Sequence, residues 1–259
     1  MDPLAGLLDG PRARGAFVQR CVLNPPWSIH IRDEAPLSIA VVVRGLTWVV
    51  PSQGDPVCLD AGDVMVARGP DSYVVADDPA TPVQIIIHPG QVCTTPDGES
   101  VTHSMRLGLR AWGNDPDGRD AVITGTYQLR GAVGRRLLDA LPPLLVMRAN
   151  EWESTVGALF SAEALRDAPG QEVVLDRLLD LVLVTVLRDW FARPSAGAPG
   201  WYRAQGDPVV GPALRLLHND PAHPWTVASI AATVGISRAS LARRFTDLVG
   251  EPPMSFLTG

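Results

Sequence analysis

Three histidines, His30, His88 and His103, fall in the first 103 residues of this 259-residue chain together with Cys21 and Cys93. Imidazole and thiolate form a soft donor set that suits zinc, and a structural zinc site needs four such ligands. The set open to zinc, the one cofactor these residue types suggest, is Cys21, His30, His88 and Cys93, of which only His88 and Cys93 are local neighbours across Pro89-Gly90. The other reading makes them surface or core side chains. Cys21 follows Arg20, but neighbours on a strand point to opposite faces, so adjacency does not supply a thiolate. Cys58, within Val57-Cys58-Leu59, reads as a small core residue. A second chemistry is reversible binding of an organic effector in the core or mouth of a small barrel. Trp27, His30, Trp48, Tyr73 and His88 would offer it aromatic contact area and polar tips.

A third chemistry lies near the C-terminus. Thr226 is placed to cap a helix with Val227, Ile230, Ala231 and Val234 on its apolar face, Gly235 permits a sharp turn, and Ser237 caps a second helix with Leu241, Phe245 and Leu248 at buried spacing. This is the pattern of a helix-turn-helix, although helical hairpins with Gly turns also occur elsewhere. The second helix would present Ser237, Arg238, Ala239, Ser240, Ala242, Arg243 and Arg244 to DNA. Arginines suit phosphates or guanine edges, and alanines allow close approach in the major groove. By helical spacing Arg243 shares a face with Ala239 and Ala242 and is expected at a base edge, with Arg238 and Ser240 at phosphates.

The elements that must position these residues follow from the hydrophobic period. From Val18 to about Leu129, short apolar or alternating runs broken by Pro, Gly and Asp predict strands over 37–43, 47–50, 57–59, 64–67, 73–76, 83–88, 102–109 and 121–129, the makings of a barrel or sandwich. Long loops are expected over 89–100 and 112–120. After Arg130 the period turns helical, predicting helices over 134–141, 151–167 and 171–192. The last carries an apolar stripe of Leu175, Leu178, Leu179, Val182, Val186 and Trp190, suited to packing on the barrel or to pairing two subunits. The fold expected is α+β: a small β-barrel over 1–130, a helical connector or dimerisation region over 131–192, a Pro/Gly/Ala-rich linker over 193–206, and an all-α helix-turn-helix over 207–259.

Bulk properties exclude some classes. The longest strongly apolar run, Leu181 to Leu187, is far below the roughly 20 residues that span a bilayer, and the N-terminus lacks a signal pattern, so a cytoplasmic protein without a membrane partner is expected. Three cysteines do not make a disulfide framework. The net charge of -6 opposes a general nucleic-acid coat, but it is unevenly spread: the segment from Arg203 onward is slightly basic and the preceding part acidic.

The sequence resembles the AraC/XylS family of transcription regulators, in the branch with a cupin-like sensor domain. The likeness rests on His218, Pro221, Pro224-Trp225-Thr226-Val227, Ile230-Ala231, Gly235-Ile236-Ser237-Arg238, Leu241-Ala242-Arg243-Arg244-Phe245 and Val249-Gly250-Glu251-Pro252-Pro253-Met254. In the N-terminal part it includes Pro26-Trp27, Leu59-Asp60-Ala61-Gly62-Asp63-Val64, Arg68-Gly69, Gly125-Thr126-Tyr127, Leu141-Pro142-Pro143, Pro169-Gly170 and Leu187-Arg188-Asp189-Trp190. The resemblance implies a homodimeric regulator, not an enzyme, that binds double-stranded operator DNA in response to a small effector or stress signal. The family's DNA-binding domain has two helix-turn-helix units, and the chain ends at Gly259 where the helix joining them should begin, so a single unit and weak operator binding are expected. Ala40 and Tyr73 stand where the family often has metal-binding histidines, which implies loss of that site. Some relatives sense oxidants through two cysteines, one placed like Cys21; the second position here is Thr124, so that disulfide is not expected unless Cys93 substitutes. The alternatives are a cupin-type metalloenzyme, which needs three or four converging ligands, and a partner-binding regulator without independent DNA binding.

Overall fold

The computed structural model describes residues 19–108, 111–127, 131–152, 154–164, 166, 168–193, 197–220 and 222–258. Val18, Leu109, Leu129, Pro221, Gly259 and positions 194–196, which figure in the sequence expectations, lie outside the described residues. The chain divides into two units. One comprises Ala13–Gln128 and Leu141–Trp190, and the other takes in Leu129–Ala140 and Phe191–Gly259.

The first unit is built from β1 (Gln19–Leu23), β2 (Ser28–Ile31), β3 (Leu37–Arg44), β4 (Leu46–Pro51), β5 (Val57–Asp60), β6 (Val64–Arg68), β7 (Tyr73–Ala76), β8 (Ile85–His88), β9 (Val92–Thr94), β10 (Ala111–Gly113), β11 (Asp120–Tyr127) and β12 (Leu144–Met147). They form two six-stranded sheets of order β10-β1-β11-β3-β6-β12 and β5-β4-β7-β2-β8-β9. Most pairs are antiparallel, as alternating sequences with short turns favour; β1–β10 and β2–β8 are parallel.

Three expectations change here. Over its described residues 102–108 the expected strand 102–109 is not formed: the segment turns, held by the Thr102 hydroxyl, which accepts from the Cys93 amide at 3.0 Å, and Arg106 alone of these bridges to Trp112. A Thr side chain bonded to backbone competes with a ladder for the same groups. The expected loops contain β9 and the greater part of β10. The run Leu144-Leu145-Val146-Met147, too short for a buried helix, becomes β12 on the free edge of β6, with Met147 opposite Val64.

Between Gly131 and Phe191 the helices are α1 (Gly131–Ala140), α2 (Ser154–Ala164) and α3 (Gln171–Phe191). The α3 stripe packs into its own unit: Leu179, Val182 and Val186 are fully buried. That burial removes the stripe as a surface for pairing subunits. The Tyr127 hydroxyl on β11 donates to Asp180 Oδ1 at 3.1 Å, joining sheet to helix, and burial pushes both groups' pKa values up.

The second unit contains α1 together with α4 (Gly200–Arg203), a 3-10 turn (Ala204–Gly206), α5 (Val210–Asn219), α6 (Val227–Thr233), α7 (Arg238–Val249) and α8 (Pro253–Thr258). Two boundaries expected from composition therefore move. The connector 131–192 is split, because α1 joins this unit, where Arg136 pairs with Glu251 at 3.2 Å and lies 4.0 Å over the Phe256 ring. The linker 193–206 is partly structured. Tyr202 packs on Phe191 with ring centroids 4.9 Å apart, and Ala204 is buried, so aromatic packing overrides the loop-like composition around it.

Candidate effector cavity and nucleic-acid interface

The two sheets of the first unit enclose a cavity whose wall is set by strand parity. Successive side chains on a strand face opposite ways, so Cys21 and Leu23 of β1, Ile29 and Ile31 of β2, Thr47 of β4, Tyr73 and Val75 of β7, and Val122 and Thr124 of β11 all line it. The centres of water-sized molecules have about 70 Å³ to occupy. Since one water needs at least about 10–15 Å³ on this measure, there is room for roughly six groups of that size. The lining is overwhelmingly apolar. The Thr47 hydroxyl, buried at this wall, has no hydrogen-bond partner among the described residues.

Parity also sorts the five effector candidates. Trp27 and Tyr73 line the cavity; His30, Trp48 and His88 do not. Each of those three sits one residue from a lining neighbour and so points to the outer face. His88 Nε2 is instead 3.0 Å from Thr94 Oγ1. His30 is held below its ordinary pKa by partial burial and by Arg32. Trp27 is fixed at both ends, its amide donating to Asp77 Oδ1 at 3.1 Å and its indole Nε1 to Asp120 Oδ2 at 2.9 Å. Gln19, Asp33, Ser38, Gln91, Thr124 and Thr126 are lining residues that the sequence reading missed. Nothing about short polar residues marks them as inward-facing until the strand register is known.

Parity breaks the zinc set as well. Cys21 and Cys93 share one core cluster, whereas His30 and His88 face outward. Among the described residues no three His, Cys, Asp or Glu side chains converge as metal ligands. Burial, and secondarily the charge of Cys93, raises the Cys21 pKa to about 12, and burial raises that of Cys93 too. Both are therefore thiols at neutral pH, poor ligands and poor nucleophiles. Thr124 lies opposite Gln19 in the ladder, and Val122 lies opposite Cys21.

In the second unit α6 and α7 are defined locally. The Thr226 hydroxyl accepts from the Ser229 amide at 3.0 Å while the Ser229 hydroxyl accepts from the Thr226 amide at 3.0 Å, closing a capping box. Gly235 turns the chain with φ 76°, a left-handed conformation that glycine adopts without penalty. The Ser237 hydroxyl caps α7 by accepting from the Ser240 amide, and Gly250 ends α7 with φ 95°. Ile230, Ala231, Leu241 and Phe245 close the core between the two helices.

At 100° per residue Arg243 projects opposite Leu241 and Phe245. Arg238, Ala239 and Arg243 are exposed, and neither arginine has a hydrogen-bond or ion-pair partner among the described residues. Ala242 is half-buried beside them. Arg244 differs: its Nε and one terminal nitrogen both donate to the Asp207 carboxylate, the latter at 2.7 Å, so this arginine is committed within the unit. Ser237 and Ser240 are likewise engaged with each other at 2.9 Å between hydroxyls. The arrangement leaves two free guanidinium groups on a rigid, capped helix.

A family model described as Cupin matches residues 2–192. The chain is also 29% identical over 267 residues to an AraC-like transcription regulator of Streptomyces lividans, an alignment covering 100% of this chain and 82% of that protein. The chain belongs to the cupin family over residues 2–192, and the relatives it matches along its length are AraC-like transcription regulators. Another relative is the HTH-type transcriptional regulator AlkR of Acinetobacter baylyi, 24% identical over 264 residues, covering 99% of this chain and 83% of AlkR. Among solved structures, the apo form of a point-substituted variant of ToxT from Vibrio cholerae aligns with 93% of this chain and 96% of its own at 10% identity and a TM-score of 0.38. The cupin fold raises the question of a metal in the barrel, and the donors do not fit one. Ala40 and Tyr73 line the cavity of this regulator, and no histidine does. The metalloenzyme alternative, which requires converging ligands, lacks them among the described residues. No helix among the described residues is long and apolar enough to cross a membrane.

Proposed function

We propose that this AraC-like protein is a cytoplasmic, non-enzymatic transcription regulator whose barrel cavity receives a small organic effector and whose α6–α7 pair binds double-stranded operator DNA. The observation that carries the reading is α7 itself, capped by Ser237, packed through Leu241 and Phe245, and presenting unpartnered Arg238 and Arg243 beside the small Ala239. Arg243 reads a base edge, where a bidentate contact gives about 1–3 kcal/mol of discrimination. Arg238, on the first turn, holds a phosphate, and Ala239 and Ala242 permit close approach. Ser237 and Ser240 serve the interface by fixing the helix start, and Arg244 positions α7 through Asp207. Effector binding regulates only if it favours one arrangement of the protein over another.

The test is a titration on a duplex obtained by in vitro selection and on its scrambled version at two salt concentrations. Arg243→Ala is expected to erase the preference between the duplexes, Arg238→Ala to weaken both alike and reduce the salt dependence, and Arg244→Ala to do neither strongly. Retained preference in Arg243→Ala rejects the assignment. The regulator is further proposed to act as a homodimer, through a surface other than the buried α3 stripe. Val173, Val174 and Leu181 are exposed apolar residues of α3 and suit that role. Light scattering at micromolar concentration should give a dimer that Leu181→Asp converts to monomer; a monomeric parent protein rejects the idea.

A further inference from the structure

A second chamber adjoins the barrel cavity. Gln19 and Gln91 line both. In the outer chamber the centres of water-sized molecules have about 220 Å³ to occupy, and its lining is more polar than that of the inner one. It carries Arg106 and His103 and no acid among its lining residues. Arg106 and Trp112 are partners in an isolated antiparallel bridge, which puts their side chains on the same side of the backbone. Trp112 is 3% exposed, and its Nε1 donor has no partner among the described residues, an unfavourable state unless something accepts from it. Among the described residues Arg106 uses only Nε, donating to the Gly108 carbonyl at 3.1 Å, and its terminal nitrogens have no acceptor there.

The inner chamber offers no cation to a ligand. No Arg or His lines it, and its one carboxylate, Asp33, lies just beyond the Ile31–Tyr73 end of β2 and β7. An anion inside the barrel would be desolvated without a counter-charge. An apolar chain there loses nothing, and it replaces empty space along Ile29, Val75 and Val122 with contacts.

We propose that the two chambers form one bipartite site for an amphiphilic organic anion, with the apolar chain in the barrel and the carboxylate past Gln19 and Gln91 against Arg106 and Trp112 Nε1. This rests on the reading of the barrel as the effector site. Room for roughly six water-sized groups in the inner chamber matches a medium-length chain whose head lies outside. Arg106 supplies the charge, Trp112 a donor that the fold leaves unpaired, and the two glutamines the polar neck.

Titration calorimetry on the full chain with octanoate, octan-1-ol and octylamine tests the assignment. Octanoate should bind most tightly and octylamine least. Arg106→Met should weaken octanoate about tenfold or more, as expected for loss of a charge-assisted bond, and leave octan-1-ol unchanged. Trp112→Phe, which keeps the ring's packing, should weaken octanoate by a smaller factor. Octanoate and octan-1-ol binding alike, with Arg106→Met without effect, would overturn the bipartite site while leaving an apolar effector cavity in place. Failure of all three to bind would overturn both the site and the effector reading beneath it.

Discussion

The two units use packing in opposite ways. The barrel unit keeps space inside, with Ala40 and Thr47 on a wall that other residues could have filled and with the hydroxyls of Ser28 and Thr47 buried without partners among the described residues. In the helical unit Val210, Ala213, Leu214, Ile230, Leu241 and Phe245 are wholly buried in one cluster, and the groups suited to a ligand point outward. A small molecule is engulfed, so its receptor must forgo some internal contacts. DNA is gripped from outside, so its reader gains from a core tight enough to hold a helix at one angle. Each residue's tolerance to substitution should differ accordingly.

The largest effect is expected in the closed core. Phe245→Ala removes a fully buried ring that packs on Phe256 at a centroid distance of 5.8 Å, and should cost about 3–5 kcal/mol. DNA binding should disappear while octanoate binding by the barrel survives; simultaneous loss of both would break the distinction between the units. The next effect depends on pH. Burial, then the Arg136 guanidinium, lowers the His218 pKa to about 4, and its Nδ1 has no partner among the described residues. The folded value lies below the ordinary value near 6.5, so folding favours the neutral ring. That stabilisation is complete above pH 6.5 and is lost as pH falls from there through 4, by about 2–3 kcal/mol. Denaturant melts of the helical unit at pH 7 and 4.5 should show the loss, and His218→Gln should flatten it; an unchanged slope would mean the ring is charged in the fold.

The smallest effect sharpens the contrast. Adding methylenes to a filled core usually costs about 1–3 kcal/mol. Ala40→Leu, directed into the cavity, should shift stability by no more than about 1 kcal/mol because empty space accepts the side chain. Octanoate binding should fall sharply in the same variant. A drop in thermal midpoint like that of an overpacked core would show that the barrel interior is as closed as the helical one.

The helix-turn-helix was legible in the sequence apart from Leu248, which the spacing placed on the buried face and the structure leaves 38% exposed near the end of α7. Thr226, Gly235 and Ser237 act on neighbours three or four positions away, and Ile230, Leu241 and Phe245 fall at the helical period, so the chain itself determines caps, turn and buried face. The alternating strands from Leu37 to Ala76 were legible for the same local reason. What only the tertiary structure decided is which way each strand faces and what meets across a gap in sequence. A shift of one residue turns every side chain of a strand to the other face, so Trp48, His30 and His88 were as eligible as Thr47, Ile29 and Ile87 until pairing set their direction. Asp207 clasping Arg244, Leu144–Met147 closing on β6, and Arg136 of α1 lying over Phe256 have no local signature either. They arise because residues far apart in the chain are brought together by burial, a non-directional force that the hydrophobic period announces without naming the partner.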